Sequence, residues 1–153
     1  MYLFRFLLIS ITSCFIISCS GDFKDLTDFN KIPKNDFSRY LFNEYKEKAE
    51  YEANQMHDWN SAKLYSIKAL KSTNGVKIKP EKIEYWKISN TKVKELKIAY
   101  DNLMAVYDDA INTDPYNLAK AISSLDCWAE QQEENWQIWD INKCKEDFLN
   151  SMH

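Results

Sequence analysis

The chain has 153 residues and a formal net charge of −3, with 45% hydrophobic and 28% charged residues, the balance of a single folding domain rather than of a disordered segment. Only two glycines and three prolines occur. That scarcity excludes an all-β sandwich or barrel, whose frequent turns draw on glycine, and glycine-rich phosphate loops, since neither Gly21 nor Gly75 lies in such a motif.

In chain order, one cation, Arg5, precedes an apolar run from Phe6 to Ile17. A membrane-spanning helix needs roughly 20 such residues, and an export h-region roughly 7 to 15. Residues 1–18 therefore read as a signal peptide. Ile16-Ile17-Ser18-Cys19 resembles the bacterial lipobox, which implies cleavage before Cys19 and acylation (palmitate) of that cysteine. Ile17 departs from the small residue usual there, Ile11-Thr12-Ser13-Cys14 offers a second match, and an uncleaved N-terminal anchor is the competing reading. Ser20 stands where aspartate would favour inner-membrane retention, so the resemblance implies an outer-membrane, periplasm-facing lipoprotein. Residues 19–35 are polar with isolated phenylalanines and read as a tether. Phe23, Leu26 and Phe29, spaced by three, leave open a short helix folded back on the body.

Residues 36–153 are expected to form an all-α body, a small bundle of about five amphipathic helices. The first runs from about Asp36, its expected cap, to Met56, with Phe37, Leu41, Tyr45, Ala49 and Ala53 on one face. Asp58 or Asn60 then caps a second helix from about Trp59 to Ser72, with Ala62, Tyr65, Ile67, Ala69 and Leu70 inside, ending at Asn74-Gly75. A connector, Val76 to Asn90, is expected to pack Trp86 inward. The third helix covers about Thr91 to Asn112. Asp114-Pro115 starts the fourth, which runs to about Glu134 with Leu118, Ala121, Ile122, Leu125 and Trp128 buried. A short fifth runs from about Ile138 to Met152. The Tyr45–Leu70 hairpin looks like one tetratricopeptide (TPR-like) repeat, yet no second copy follows, so helix-hairpin packing without repeat function is the reading.

Beyond Cys19, export would leave Cys127 and Cys144 in an oxidising compartment, where a disulfide closing the loop between them is expected to contribute about 3 kcal/mol. Zinc would need two more ligands and a redox dithiol would more typically show C-x-x-C. Around Cys127 stands the most distinctive run, Asp126-Cys127-Trp128-Ala129-Glu130-Gln131-Gln132-Glu133-Glu134-Asn135-Trp136. With Ala49-Glu50-Tyr51-Glu52, Met56, Asp58-Trp59 and Ala62 upstream, it resembles the helical N-terminal region of OmpA-family outer-membrane lipoproteins of alphaproteobacteria. The likeness covers roughly residues 37–148. In that family the helical region precedes a peptidoglycan-binding domain, of which no residue has a counterpart up to His153. Peptidoglycan binding is therefore not carried over.

Glu130, Glu133 and Glu134 are expected on a solvated face, Trp128 and Trp136 packed inward, and Gln131 or Gln132 bonded to the loop leading to Trp139. The acidic run could instead attract a basic partner or a divalent cation; the structural reading is preferred, and no metal site or cofactor is expected. No H-E-x-x-H, G-x-S-x-G or S-x-x-K pattern occurs, and His57 and His153 lack positioned partners, so an enzyme is not expected. Removing Arg5 with the signal peptide leaves 19 of the 20 basic residues against 23 acidic ones, a charge of −4 that speaks against nucleic acid. The sequence thus points to a lipid-anchored cell-envelope protein with an interaction or structural role. Its expected partners are the membrane, through the anchor, and another envelope protein; the alternative is an accessory protein binding a ligand between helices.

Overall fold

The computed structural model describes residues 21–153, so the signal peptide, Cys14 and Cys19 lie outside the described residues. Among the described residues the fold is all-α, with six helices: α1 (Gly21–Thr27), α2 (Asp36–Tyr51), α3 (Trp59–Ser72), α4 (Asn90–Thr113), α5 (Pro115–Glu134) and α6 (Ile138–Ser151). A π-turn, Glu52–Met56, extends α2, and a 3-10 turn, Ile83–Tyr85, interrupts the connector before α4.

Local chemistry sets most of the boundaries. The Asp58 carboxylate accepts from the backbone N–H groups of Asn60 and Ser61, starting α3. Asp114 accepts from Asn117 N with Pro115 in the first turn, which starts α5. Gly75 takes φ +76° just beyond α3, where an added Cβ would meet Lys34 Cδ at 3.3 Å. The expected cap Asp36 is displaced by its neighbour: Asn35 accepts from Ser38 N at 2.8 Å, and Asp36 is the first helical residue, paired with Arg39.

The segment expected as a tether contains α1. Leu26 is fully buried, Phe23 meets the Trp59 ring edge-on at 5.9 Å and Phe29 packs on Phe42. Phe23 and Leu26 share one face of α1, which packs on α3, and Phe29, just past the end of that helix, reaches α2, which is why residues from Gly21 onward join the body.

Helix α5 is the hub, touching α2, α4 and α6. From Leu118 to Gln132 only Lys120 escapes burial, as befits a helix surrounded by others. Its apolar residues, Leu118, Ala121, Ile122, Leu125 and Trp128, join Leu41, Tyr45, Tyr65, Leu96, Leu103 and Phe148 in one core. On the outer flank α4 buries Leu96, Ala99, Leu103 and Tyr107 and leaves Val106 exposed. The connector is fastened by Tyr107, whose hydroxyl donates to Ile78 O at 2.8 Å, and by Trp86, which is buried as expected.

Candidate functional site

The acidic run on α5 is a row of inward-facing acceptors. Asp126, Glu130 and Glu133 lie at i, i+4 and i+7, hence on one helical face, and each takes at least one donor from outside α5. Asp126, 1% exposed, accepts from Tyr45 OH at 2.5 Å, from Glu81 N at 2.7 Å and from the Lys68 ammonium. Glu130, 4% exposed, accepts from Ser61 Oγ at 2.6 Å and from Gln131 Nε2 at 2.8 Å. Glu133 accepts from Lys87 N at 2.7 Å. This corrects the solvated-face expectation for Glu130. The carboxylates of this face fix the hairpin and the connector to the hub, and their donors lie too far away in the chain for periodicity to reveal.

The other run residues divide likewise. Trp128 is buried and meets Phe148 at 6.1 Å between ring centroids. Gln131 and Gln132 are buried, and Gln132 Nε2 donates to Asn135 Oδ1 in the turn that leads toward Trp139. Trp136 does not pack inward. It is 62% exposed and donates only to Glu134 Oε2, at 3.3 Å. Asn135 ends α5 in the left-handed conformation, and that turn swings Trp136 away from the core. Trp59, at the start of α3, is half-exposed beside Phe23.

Cys127 and Cys144 are disulfide-bonded, joining α5 to α6 with their Cα atoms 5.7 Å apart. Both cysteines line a cleft of about 430 Å³ between α2, α5 and α6. Its walls mix Lys48, Lys120 and Lys143 with Glu44, Glu47 and Asp147, and Tyr51 and Tyr116 add aromatic surface. Burial lowers the pKa of Lys48, against the opposing pull of Glu44, Asp147 and Glu47.

Next to this cleft, where α2 and α5 end and α3 and α6 begin, four carboxyl groups converge. The π-turn carries Glu52, only 4% exposed, and ends at His57, whose φ of 57° turns the chain so that Asp58 can cap α3. Glu130 and Glu134 come from the last turns of α5. Burial first, then repulsion from Glu130, Asp58, Glu134 and Asp140, pushes Glu52 up to about 8. Burial likewise pushes Glu130 up to about 7 against the hydrogen bonds from Ser61 and Gln131, and Glu134 is raised by burial and by Asp58. Such a set can hold protons or a hard cation, because every member offers oxygen. Sequence reading missed it because Glu52 and Asp58 come together with Glu130 only through the fold.

On the outside of the same end, Trp136, Ile138 and Trp139 are each more than half exposed, and Tyr51 OH reaches toward Asp140 at 3.4 Å. Nothing matches this chain among protein-family models, curated proteins or solved structures.

Proposed function

We propose that the protein is a lipid-anchored module of the cell envelope whose helical body docks another envelope protein through the α5–α6 end. The observation that carries this reading is the exposed trio Trp136, Ile138 and Trp139. Large apolar side chains gathered on one turn are costly in water and are the usual mark of a contact surface, with tryptophan favoured as an anchor. The Cys127–Cys144 disulfide supports an oxidising, extracytoplasmic location. The anchor rests on the apolar run and Cys19, and the outer-membrane placement on the resemblance to OmpA-family lipoproteins. A photo-crosslinker at position 139, in cells, should capture one specific envelope protein, and Trp136→Ala should abolish the adduct. A crosslinking pattern unchanged by that substitution sinks the docking role. For the anchor, Cys19→Ala should abolish acyl labelling; labelling that persists removes Cys19 from the proposal.

A second reading has its own observation, the cleft over the disulfide. It is the size of a small-ligand site, with both signs of charge on its walls, so it suits a zwitterionic small molecule. Native mass spectrometry of protein taken directly from the envelope should then show a bound species, lost on Lys48→Ala.

A further inference from the structure

The start of α1 has a position that the docking role does not use. Phe23 meets the Trp59 ring at the first turn of α3, with ring centroids 5.9 Å apart, and Asp22 faces Lys63 at 3.8 Å. At the other end of α3, Lys34 N donates to Thr73 O at 3.2 Å. Helix α1 therefore runs alongside α3 in the same direction, and Gly21 stands at the end of the bundle where α3 begins. Helix α5 finishes at that end too, because a carboxylate oxygen of Glu134 lies within 4.8 Å of one from Asp58, and Trp136 Nε1 donates to Glu134 Oε2 at 3.3 Å.

The sequence ahead of this point brings a membrane to the same end. Only Ser20 separates Cys19 from Gly21, and the apolar run ends at Ile17. An extended chain advances at most about 3.6 Å per residue, so a lipidated Cys19 would keep Gly21 within about 7 Å, and an uncleaved run would keep it within about 14 Å of Ile17. Either anchor holds this end of the body against the bilayer rather than clear of it. Trp59 is 43% exposed there, and an indole, apolar with one polar N–H, is favoured in the headgroup layer. The nearby charges do not favour an anionic surface, since Asp22, Asp58 and Glu134 outnumber Lys63.

We propose that the corner formed by Phe23 and Trp59 rests in the headgroup layer of zwitterionic lipid, so that the body lies directly on the bilayer with the start of α3 and the end of α5 facing it. This contact rests on the membrane anchor proposed above, whether through lipidated Cys19 or through an uncleaved apolar run, and it is independent of which protein the exposed trio docks. Its consequence for docking is positional. Trp136, at the same end, is held at the height of the headgroups, so the protein that the trio docks is one that exposes its contact surface at the membrane.

The test uses the full chain, purified from membranes and reconstituted in phosphatidylcholine vesicles whose acyl chains carry bromine close to the headgroup, a contact quencher of indole. In a Trp136→Phe/Trp139→Phe background, Trp59 is the one exposed tryptophan left, beside the buried Trp86 and Trp128. Brominated lipid should then remove roughly a third of the emission, the share of one ring in three. Adding Trp59→Phe, which keeps a ring against Phe23, should abolish that loss with the helical circular dichroism unchanged. Ile32→Trp, added to this triple variant, places an indole on a residue 90% exposed near the far end of α3, and that ring should escape quenching. Salt at about 0.5 M, which screens charge within a few ångströms, should leave the Trp59 quenching unchanged, as should phosphatidylglycerol. Quenching that is absent in a chain floating with the vesicles, equal with and without Trp59, present at position 32, or dependent on phosphatidylglycerol or low salt overturns the contact and leaves the anchor standing. A chain that does not float with the vesicles overturns the anchor and the contact with it.

Discussion

Lys68 on α3 and Asp126 on α5 form an ion pair with both side chains almost wholly out of water, at 6% and 1% exposure. The same carboxylate takes the Tyr45 hydroxyl and the Glu81 N–H, and Lys68 also reaches Glu81 Oε1 at 3.1 Å. One aspartate therefore joins α2, α3, α5 and the connector. A buried charge pair is favourable only when its remaining hydrogen-bonding capacity is filled, and these partners fill it.

Removing one side of this pair should be severe. Asp126→Ala would leave the Lys68 ammonium, the Tyr45 hydroxyl and the Glu81 N–H unpaired in the core, at a cost of about 3–5 kcal/mol. Urea unfolding followed by circular dichroism should show it. The double variant Lys68→Met with Asp126→Leu should lose less than the sum of the two single changes; simple additivity would mean that the pair is not coupled.

The disulfide between Cys127 and Cys144 spans 17 residues. Replacing both cysteines with serine should lower stability by about 3 kcal/mol, chiefly by freeing the unfolded chain. Thiol alkylation of the non-reduced protein should leave both cysteines unmodified. Modification of either one, or an unchanged urea midpoint in the double variant, would contradict the staple.

The carboxyl cluster sets an unusual pH dependence. Glu52 and Glu130 have folded-state pKa values of about 8 and about 7, against an ordinary value of 4.5. Because the folded protein keeps these protons after the unfolded chain has released them, their contribution is complete below about 4.5 and is lost as pH rises through about 7 and 8. The thermal midpoint should fall from pH 5 to pH 8. Glu52→Gln, which cannot ionise against Glu130, Glu134, Asp58 and Asp140, should flatten that fall. A midpoint that climbs over this range would contradict the raised values.

At the end of α3, Gly75→Ala places a Cβ in the left-handed region and against Lys34. A loss of about 1 kcal/mol is expected, measurable as a lower urea midpoint with unchanged helix content. No loss would show that this turn relaxes freely.

Helix positions and several ends are legible in the sequence because their causes are local. Apolar residues at helical spacing, the Asp58 cap, Asp114 with Pro115, and a glycine at positive φ each act within a few residues of themselves. The polar interior is different in kind. Lys68 is buried where Ile67, its apolar neighbour, is only partly so, and Asp126, Glu130 and Glu133 receive donors from 45 to 81 residues earlier in the chain. A charged side chain read alone belongs in water, because an unpaired charge is costly to bury. Only the packing of α2, α3 and the connector around α5 supplies the partners that reverse that balance, and the same packing brings Glu52 and Asp58 to Glu130.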